Sequence, residues 1–315
     1  MPAIIIIDEM HSSIIAQLEQ LDYDVDYQPE IYREQLKHII GKYHGLVVRS
    51  KTIIDFDLLE DAQNLQFVAR AGAGVDNLDE NTLKEKGIHM INAPEGNRDS
   101  LGEHMMGMLL SLLHKIGASC EAIRSGQWDR EGFRGTELGG KTVGIIGCGN
   151  MGNALASRLQ SFGCQVLGYD KYLEEQPTSN YQRVPINQLF IRSDIVSLHV
   201  PLTEETRNFY NYSFFQQFKK PIILMNSARG EILPLKDLVK LLRERKIIGA
   251  CLDVFEKEPL FQLSKNQKGI YDYLTDSPEV ILTPHIAGWS YESYQRINDV
   301  LVTKIRALKQ SGSID

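Results

Sequence analysis

The sequence predicts an α/β protein in two domains, one of them a doubly wound parallel sheet. Three observations lead there. Short apolar runs closed by polar residues alternate with helically spaced segments, the pattern of parallel βαβ units. A glycine-rich turn, Gly147-Cys148-Gly149-Asn150-Met151-Gly152, stands between one such run and one such segment. The length of 315 residues suits two domains of the usual ~100–200 residues.

In the first hundred residues, Ala3 to Ile7 is a buried-strand run closed by Asp8. Ser12 to Leu21 places Ile14, Ile15, Leu18 and Leu21 at helical spacing. A second strand begins at Val25, Ile31 to Ile40 reads as helix, and Gly45 to Val48 as a third strand. Leu58-Leu59 lies in a short helix, with strands at Phe67 to Ala69 and Ile88 to Ile91. The character then changes. Ser100-Leu101-Gly102-Glu103 has capping-box spacing, and Leu101, Met105, Leu109, Leu112, Leu113 and Ile116 form an apolar stripe that Gly126 ends. This predicts one helix of roughly 24 residues, ~36 Å long, either packed in a core or connecting domains; a dimer-forming role is compatible with both.

From Gly140 a second series begins, with strands expected at Lys141 to Ile146, Gln165 to Tyr169, Ile195 to Leu198, Pro221 to Met225, Ile248 to Asp253 and Val280 to Leu282. Helical patterns such as Met151 to Ser161 and Leu235 to Arg245 lie between them, as in a doubly wound nucleotide-binding domain. A last helix is expected at about Tyr291 to Lys309. The proline and glycine clusters Asn92 to Gly96 and Pro284 to Gly288 are the candidate hinges.

Composition narrows the function. A net charge of −7 argues against a broad basic surface for nucleic acid or anionic lipid, while leaving room for a local anion pocket. No run of ~18 apolar residues suggests a membrane span, and Met1-Pro2-Ala3 leads straight into Ile4 to Ile7 without a signal-like segment. The four cysteines, Cys120, Cys148, Cys164 and Cys251, show no metal or disulfide spacing. A soluble, cytoplasmic protein without a metal is expected.

The glycine turn follows Val143-Gly144-Ile145-Ile146 and opens a helical pattern, the context its motif requires. Gly147 permits the tight turn, Gly149 the approach of a pyrophosphate, and Gly152 close helix packing. Asp170 ends the next strand, 18 residues after Gly152. A carboxylate there accepts bonds from the adenosine ribose and repels a 2′-phosphate, which favours NAD over NADP; Lys171 beside it is a countercurrent. Arg229, Glu258 and His285 each follow a strand-like run, where open α/β sheets bind ligands. Hydride transfer from an alcohol needs a base, a cation for the oxygen or carboxylate, and an acceptor. Histidine titrates in the useful range, arginine offers a bidentate fork, and a carboxylate can hold the imidazole tautomer. Spacing alone leaves a structural role open for each.

These motifs resemble those of the D-isomer-specific 2-hydroxyacid dehydrogenases across nearly the whole chain. Arg49-Ser50, followed by Lys51, looks like the family's first substrate loop, and Arg70 to Asn77, with Ala73 and Gly74, like its second. His199-Val200-Pro201-Leu202-Thr203 with Thr206 resembles the nicotinamide-side loop. Asn226-Ser227-Ala228-Arg229-Gly230, Asp253-Val254-Phe255 with Glu258-Pro259, and Thr283-Pro284-His285 follow in the family's order. The resemblance implies Arg229, Glu258 and His285 as catalytic residues and Arg49, Ser50, Lys51, Ala73 and Gly74 as substrate-binding. It implies NAD held by Gly147, Gly149, Asn150, Met151, Gly152, Asp170, His199, Pro201, Thr206, Ser227, Ala228, Asp253, Ala287 and Gly288. It also implies two Rossmann-like or flavodoxin-like domains. Residues 1–98 and 286–315 would form a discontinuous substrate domain and 99–285 the NAD-binding domain, with a ligand-closing cleft between them and a homodimer built on the long helix.

Within the family, the phosphoglycerate branch looks nearest, because two cations flanking the Ser50 hydroxyl suit a phosphorylated 2-hydroxy or 2-keto acid. Arg98 adds a further cation. His285-Ile286-Ala287-Gly288-Trp289-Ser290 departs from that branch, and a similar aromatic occurs in erythronate-4-phosphate dehydrogenases. Glyoxylate or hydroxypyruvate reduction is the competing activity. A non-catalytic, NAD-sensing interaction protein, as some eukaryotic corepressors are, is the alternative of another class. With thirty residues after His285, no regulatory domain and no inhibition by serine are expected.

Overall fold

Five short strands from the first hundred residues, β1 (Ala3–Ile6), β2 (Asp24–Tyr27), β3 (Gly45–Val48), β4 (Phe67–Arg70) and β5 (His89–Asn92), pair in parallel. Their order is β2-β1-β3-β4-β5, the flavodoxin-like winding. The computed structural model describes residues 1–173, 179–260 and 263–315. In β1 the sheet is buried on both faces. Ile4 and Ile6 point into one cluster with Ile297, Leu301 and Ile305 of the helix Tyr291–Gln310, and Ile5 and Ile7 into another with Leu36, Leu58 and Leu83. This period of two explains why the strand reads as an unbroken apolar run.

The second sheet holds β6 (Thr142–Ile146), β7 (Gln165–Tyr169), β8 (Gln182–Arg183), β9 (Ile195–Leu198), β10 (Ile222–Asn226), β11 (Ile247–Leu252) and β12 (Val280–Leu282). All pairs are parallel, in the order β12-β11-β10-β9-β6-β7-β8. Strand order therefore reverses between β6 and β9, the place where doubly wound sheets take their ligands. The carboxyl ends of these strands carry Gly147, Asp170, His199, Ser227, Asp253 and Thr283. The chain divides into two compact units, Met1–Arg98 with Trp289–Asp315, and Asp99–Gly288.

Several expectations are corrected. Seven strands replace the expected six, because β8 is two exposed residues and offers no periodic signal. The expected single helix of roughly 24 residues is two, Pro94–Leu113 and Ile116–Arg124. It opens on Pro94, whose missing N–H costs nothing in a first turn, so Asn92 to Gly96 is not a loop. Ser100 therefore lies inside the helix and caps nothing; its hydroxyl donates to the Ala287 carbonyl, 2.9 Å away. The break follows from Lys115 in the left-handed region at φ 53° and from the Thr136 N–H, which takes the Leu113 carbonyl at 2.9 Å. Ile286 to Gly288, placed by the sequence with the first domain, group with the second unit. The Ile286 and Ala287 N–H groups donate to the buried Asp253 carboxylate there. Among the described residues, no helix is long and apolar enough to cross a membrane, and no cluster of three or more His, Cys, Asp or Glu could hold a metal.

Candidate active site

The glycine turn is shaped by contacts that allow no side chain. Gly147 sits at φ +90°, and a Cβ there would stand 2.4 Å from the His199 carbonyl oxygen. A Cβ on Gly149 would meet nothing within 4 Å, so that position faces open space at the start of the helix Asn150–Gln160. Unpaired first-turn N–H groups and an open cradle fit a diphosphate. Asn150, Met151 and Gly152 form that first turn. Asp170 lies alongside: Oδ2 accepts the Cys148 N–H at 2.8 Å, and Oδ1 accepts those of Tyr172 and Leu173 at 2.9 and 3.1 Å. The carboxylate is thus fixed against the turn, where a ribose would reach it. These residues fit NAD. Burial, with the Asp170 charge adding to it, pushes the Cys148 thiol up to about 12, which keeps it in the thiol form.

His199 opens the loop after β9. Its imidazole turns into the protein, with Nε2 2.8 Å from the Ser197 hydroxyl, and burial pushes its pKa down to about 4. Its backbone carbonyl, under Gly147, is the part that meets the dinucleotide turn. Thr206 staples the loop, its hydroxyl donating to the Pro201 carbonyl at 2.7 Å and accepting the Thr203 N–H at 2.8 Å.

After β10, Asn226 is buried and bonds both ways within its own turn. Its Oδ1 accepts the Ala228 N–H at 3.1 Å, and its Nδ2 donates to the Arg229 carbonyl at 3.0 Å. The motif by itself gives Asn226 no role; an asparagine closing a strand before a small-residue turn is the available clue. The Ser227 hydroxyl is buried without a hydrogen-bond partner among the described residues, and Ala228 accepts Nη1 of Arg229 at 2.7 Å. Gly230 brings this turn onto the next one: a Cβ there would lie 1.8 Å from the Phe255 carbonyl carbon. That contact fixes Arg229 relative to Glu258.

Glu258 and His285 form a pair, Oε2 to Nδ1 at 2.7 Å, while Oε1 accepts the Phe255 N–H at 2.8 Å. The hydrogen bond donated to Glu258, with that carboxylate's charge, raises the His285 pKa against burial and the Arg229 charge. Burial alone would push the Glu258 carboxyl up. The bonds from His285 and Phe255 and the charges of His285 and Arg229 outweigh it and hold the carboxyl below its ordinary value. His285 adopts φ 57°, a left-handed conformation costing about 1–3 kcal/mol for a residue with a Cβ.

Asp253 holds that strain in place. It is 1% exposed, and its carboxylate accepts the Thr283 hydroxyl at 2.5 Å, the Ile286 N–H at 2.9 Å and the Ala287 N–H at 2.7 Å. Asp253 and the Ala287 N–H, bonded to each other, shape the loop that carries His285. Gly288 ends that loop. His104, passed over in the sequence, joins this network with Nε2 3.0 Å from Thr283 Oγ1 and 3.7 Å from Asp253 Oδ1. A lone histidine on an apolar helical stripe gives no sequence signal for such a role.

In the first unit, Asn77 ties the expected substrate loops together by donating to the carbonyls of Arg49 and Thr52 at 3.2 and 2.9 Å. Asn92 likewise donates to the Ala73 carbonyl at 2.8 Å, beside Gly74. The Arg49 guanidinium stacks 4.3 Å from the Trp289 ring centroid and 5.5 Å from that of Tyr294. Ser50 is exposed. The Lys51 ammonium donates to the Pro29 carbonyl.

Fold and site together define a dinucleotide-binding protein of the doubly wound α/β class. A family model described as "D-isomer specific 2-hydroxyacid dehydrogenase, NAD binding domain" matches residues 106–287. The D-3-phosphoglycerate dehydrogenase of Methanocaldococcus jannaschii is 35% identical over 97% of this chain, which spans 57% of that protein's length. The hydroxypyruvate reductase of Thermotoga maritima is 34% identical over 95% of this chain and 94% of its own. A D-lactate dehydrogenase from Aquifex aeolicus, solved with NAD and lactic acid, superposes with a TM-score of 0.82 at 25% identity, covering 98% of this chain and 96% of that one. The chain belongs to the D-isomer-specific 2-hydroxyacid dehydrogenase family, and its cofactor is NAD.

Proposed function

We propose that this chain is an NAD-dependent dehydrogenase interconverting a D-2-hydroxy acid and its 2-keto acid. The observation that carries the reading is the His285–Glu258 pair, 2.7 Å apart and within the field of Arg229. When bound, the nicotinamide supplies or accepts the hydride. Nδ1 of His285 is committed to Glu258, which leaves Nε2 to take the C2 hydroxyl proton during oxidation and to return it during reduction. Glu258 stabilises the imidazolium. Arg229 binds the substrate carboxylate and the C2 oxygen through its planar fork.

The substrate we favour is D-3-phosphoglycerate, oxidised to 3-phosphohydroxypyruvate as in serine biosynthesis. Support comes from the likeness to a phosphoglycerate dehydrogenase and from the cation Arg49 at the expected substrate loop, its guanidinium stacked on Trp289. A specific observation favours a second reading, reduction of hydroxypyruvate: Lys51 is turned to the Pro29 carbonyl, and the T. maritima relative carries that name. A homodimer working in the cytoplasm completes the proposal; light scattering at micromolar concentration tests the dimer, and a monomer contradicts it. For the substrate, kcat/KM is compared for 3-phosphohydroxypyruvate and hydroxypyruvate in one NADH-oxidation assay. A preference of at least about tenfold for the phosphorylated acid, the worth of one good charge-assisted contact, supports the first reading; a ratio near one or below supports the second.

A further inference from the structure

Asp170 is not the only charged group at the ribose end of the dinucleotide turn. Lys171 follows it directly, and a lysine in that place could serve a 2′-phosphate as well as arginine does in NADP-dependent sheets of this class. The structure gives this cation another task. Its ammonium pairs with Oε1 of Glu205, and the Tyr172 hydroxyl donates to Oε2 of the same carboxylate. Glu205 comes from the loop after β9 and Lys171 from the turn after β7. These strands flank β6, whose end carries the glycine turn, so the pair links the two sides of the cofactor position. Glu205 is not placed there by a wandering side chain alone. Its turn is pinned by the Thr206 hydroxyl on the Pro201 carbonyl at 2.7 Å, by the Thr203 N–H on that hydroxyl at 2.8 Å, and by the Thr206 N–H on Thr203 Oγ1 at 3.2 Å.

We infer that Glu205 is a cofactor-discriminating residue: it holds Lys171 and Tyr172 away from a 2′-phosphate and adds a second carboxylate at the turn that follows Asp170. Selectivity for NAD(H) over NADP(H) is then shared among Asp170, Lys171 and Glu205. The pair is roughly half exposed, at 55% and 46% of side-chain area for lysine and glutamate. It therefore adds little to stability, and removing it leaves the fold standing. Its effect on a ligand phosphate is larger than on stability, because a 2′-phosphate brings about −1.5 to −2 charges to the same spot. Neutralising Glu205 both deletes a repulsion and releases a cation.

The test is nucleotide binding, which needs no substrate and so stands or fails independently of the activity proposed above. Dissociation constants for NADH and NADPH are measured by calorimetry on the wild type, Glu205→Gln, Lys171→Met and the double variant. The preference for NADH in Glu205→Gln is expected to fall by at least about tenfold, the combined effect of one repulsion lost and one cation set free at a solvent-exposed site. In the double variant most of that fall is expected to disappear, because no cation is released. Taking the ratio within each variant cancels any loss of folded protein. A ratio in Glu205→Gln within twofold of wild type overturns the inference, as does a double variant that keeps the whole change.

Discussion

Nδ1 of His285 and Oε2 of Glu258 lie 2.7 Å apart although 27 residues separate them in sequence. Two neighbouring contacts make the approach possible. The Phe255 N–H fixes the other carboxylate oxygen, and Asp253 ties down the backbone just after His285. The imidazole is therefore oriented by one carboxylate while its loop is held by another. Their division of labour follows from exposure: Asp253 is 1% exposed, whereas the Glu258 side chain keeps 33%.

The pair sets a pH dependence with a definite sign. Reduction of a 2-keto acid requires protonated His285, so its rate is high below the histidine pKa and declines as pH rises through it. Glu258 raises that pKa, so Glu258→Gln shifts the declining limb of kcat to lower pH. In the direction of oxidation the rising limb moves the same way. A pH–rate profile of the variant that superposes on the wild type contradicts this role.

Arg229→Ala is expected to lower kcat/KM by about 10²–10³, the range for losing a preorganised group on a developing oxyanion. Arg229→Lys recovers only part, because an ammonium cannot reproduce the planar fork. Steady-state kinetics of both variants checks the order.

Asp253→Asn places an amide donor where the Ala287 N–H now finds an oxygen 2.7 Å away. An unsatisfied buried donor costs about 1–3 kcal/mol. A fall of several degrees in the thermal midpoint is expected, with a loss of kcat as the His285 loop relaxes. His104→Ala, which removes the bond to Thr283, shares the sign with a smaller size. Melting curves identical to wild type for Asp253→Asn count against the account.

Much of this was legible in the sequence, for identifiable reasons. Strands buried on both faces, such as Ala3–Ile6 and Ile222–Asn226, leave unbroken apolar runs. The glycine turn announces itself because only glycine fits its close approaches. Where side chains act through tertiary contacts, the sequence was silent. Nothing local told that Lys51 finds the Pro29 carbonyl, that the His199 ring turns inward, or that Asp253 ties down the loop carrying His285. The start at Pro94 was open to reading, since a proline followed by Glu95 is a helix-opening pair. The capping-box spacing at Ser100 pointed elsewhere.

Trp289→Ala removes the face on which the Arg49 guanidinium rests at 4.3 Å. A cation–π contact of this kind contributes about 0.5–2 kcal/mol. With 3-phosphohydroxypyruvate as substrate, KM is expected to rise about 2- to 30-fold with a smaller change in kcat. For hydroxypyruvate, which lacks the anionic tail, the rise is smaller. Equal effects on both acids would remove Arg49 from the substrate's phosphate.

The central claim is that His285 exchanges the C2 proton of a 2-hydroxy acid, and NADH oxidation by wild type and His285→Ala at neutral pH tests it most directly. With 3-phosphohydroxypyruvate, hydroxypyruvate and glyoxylate offered in turn, the wild type is expected to consume NADH with at least one of them. The variant is expected to be slower by at least ~10²-fold, the lower end for loss of a general acid–base group. A wild type inactive on all three acids, or a variant within a few-fold of wild type, contradicts the account.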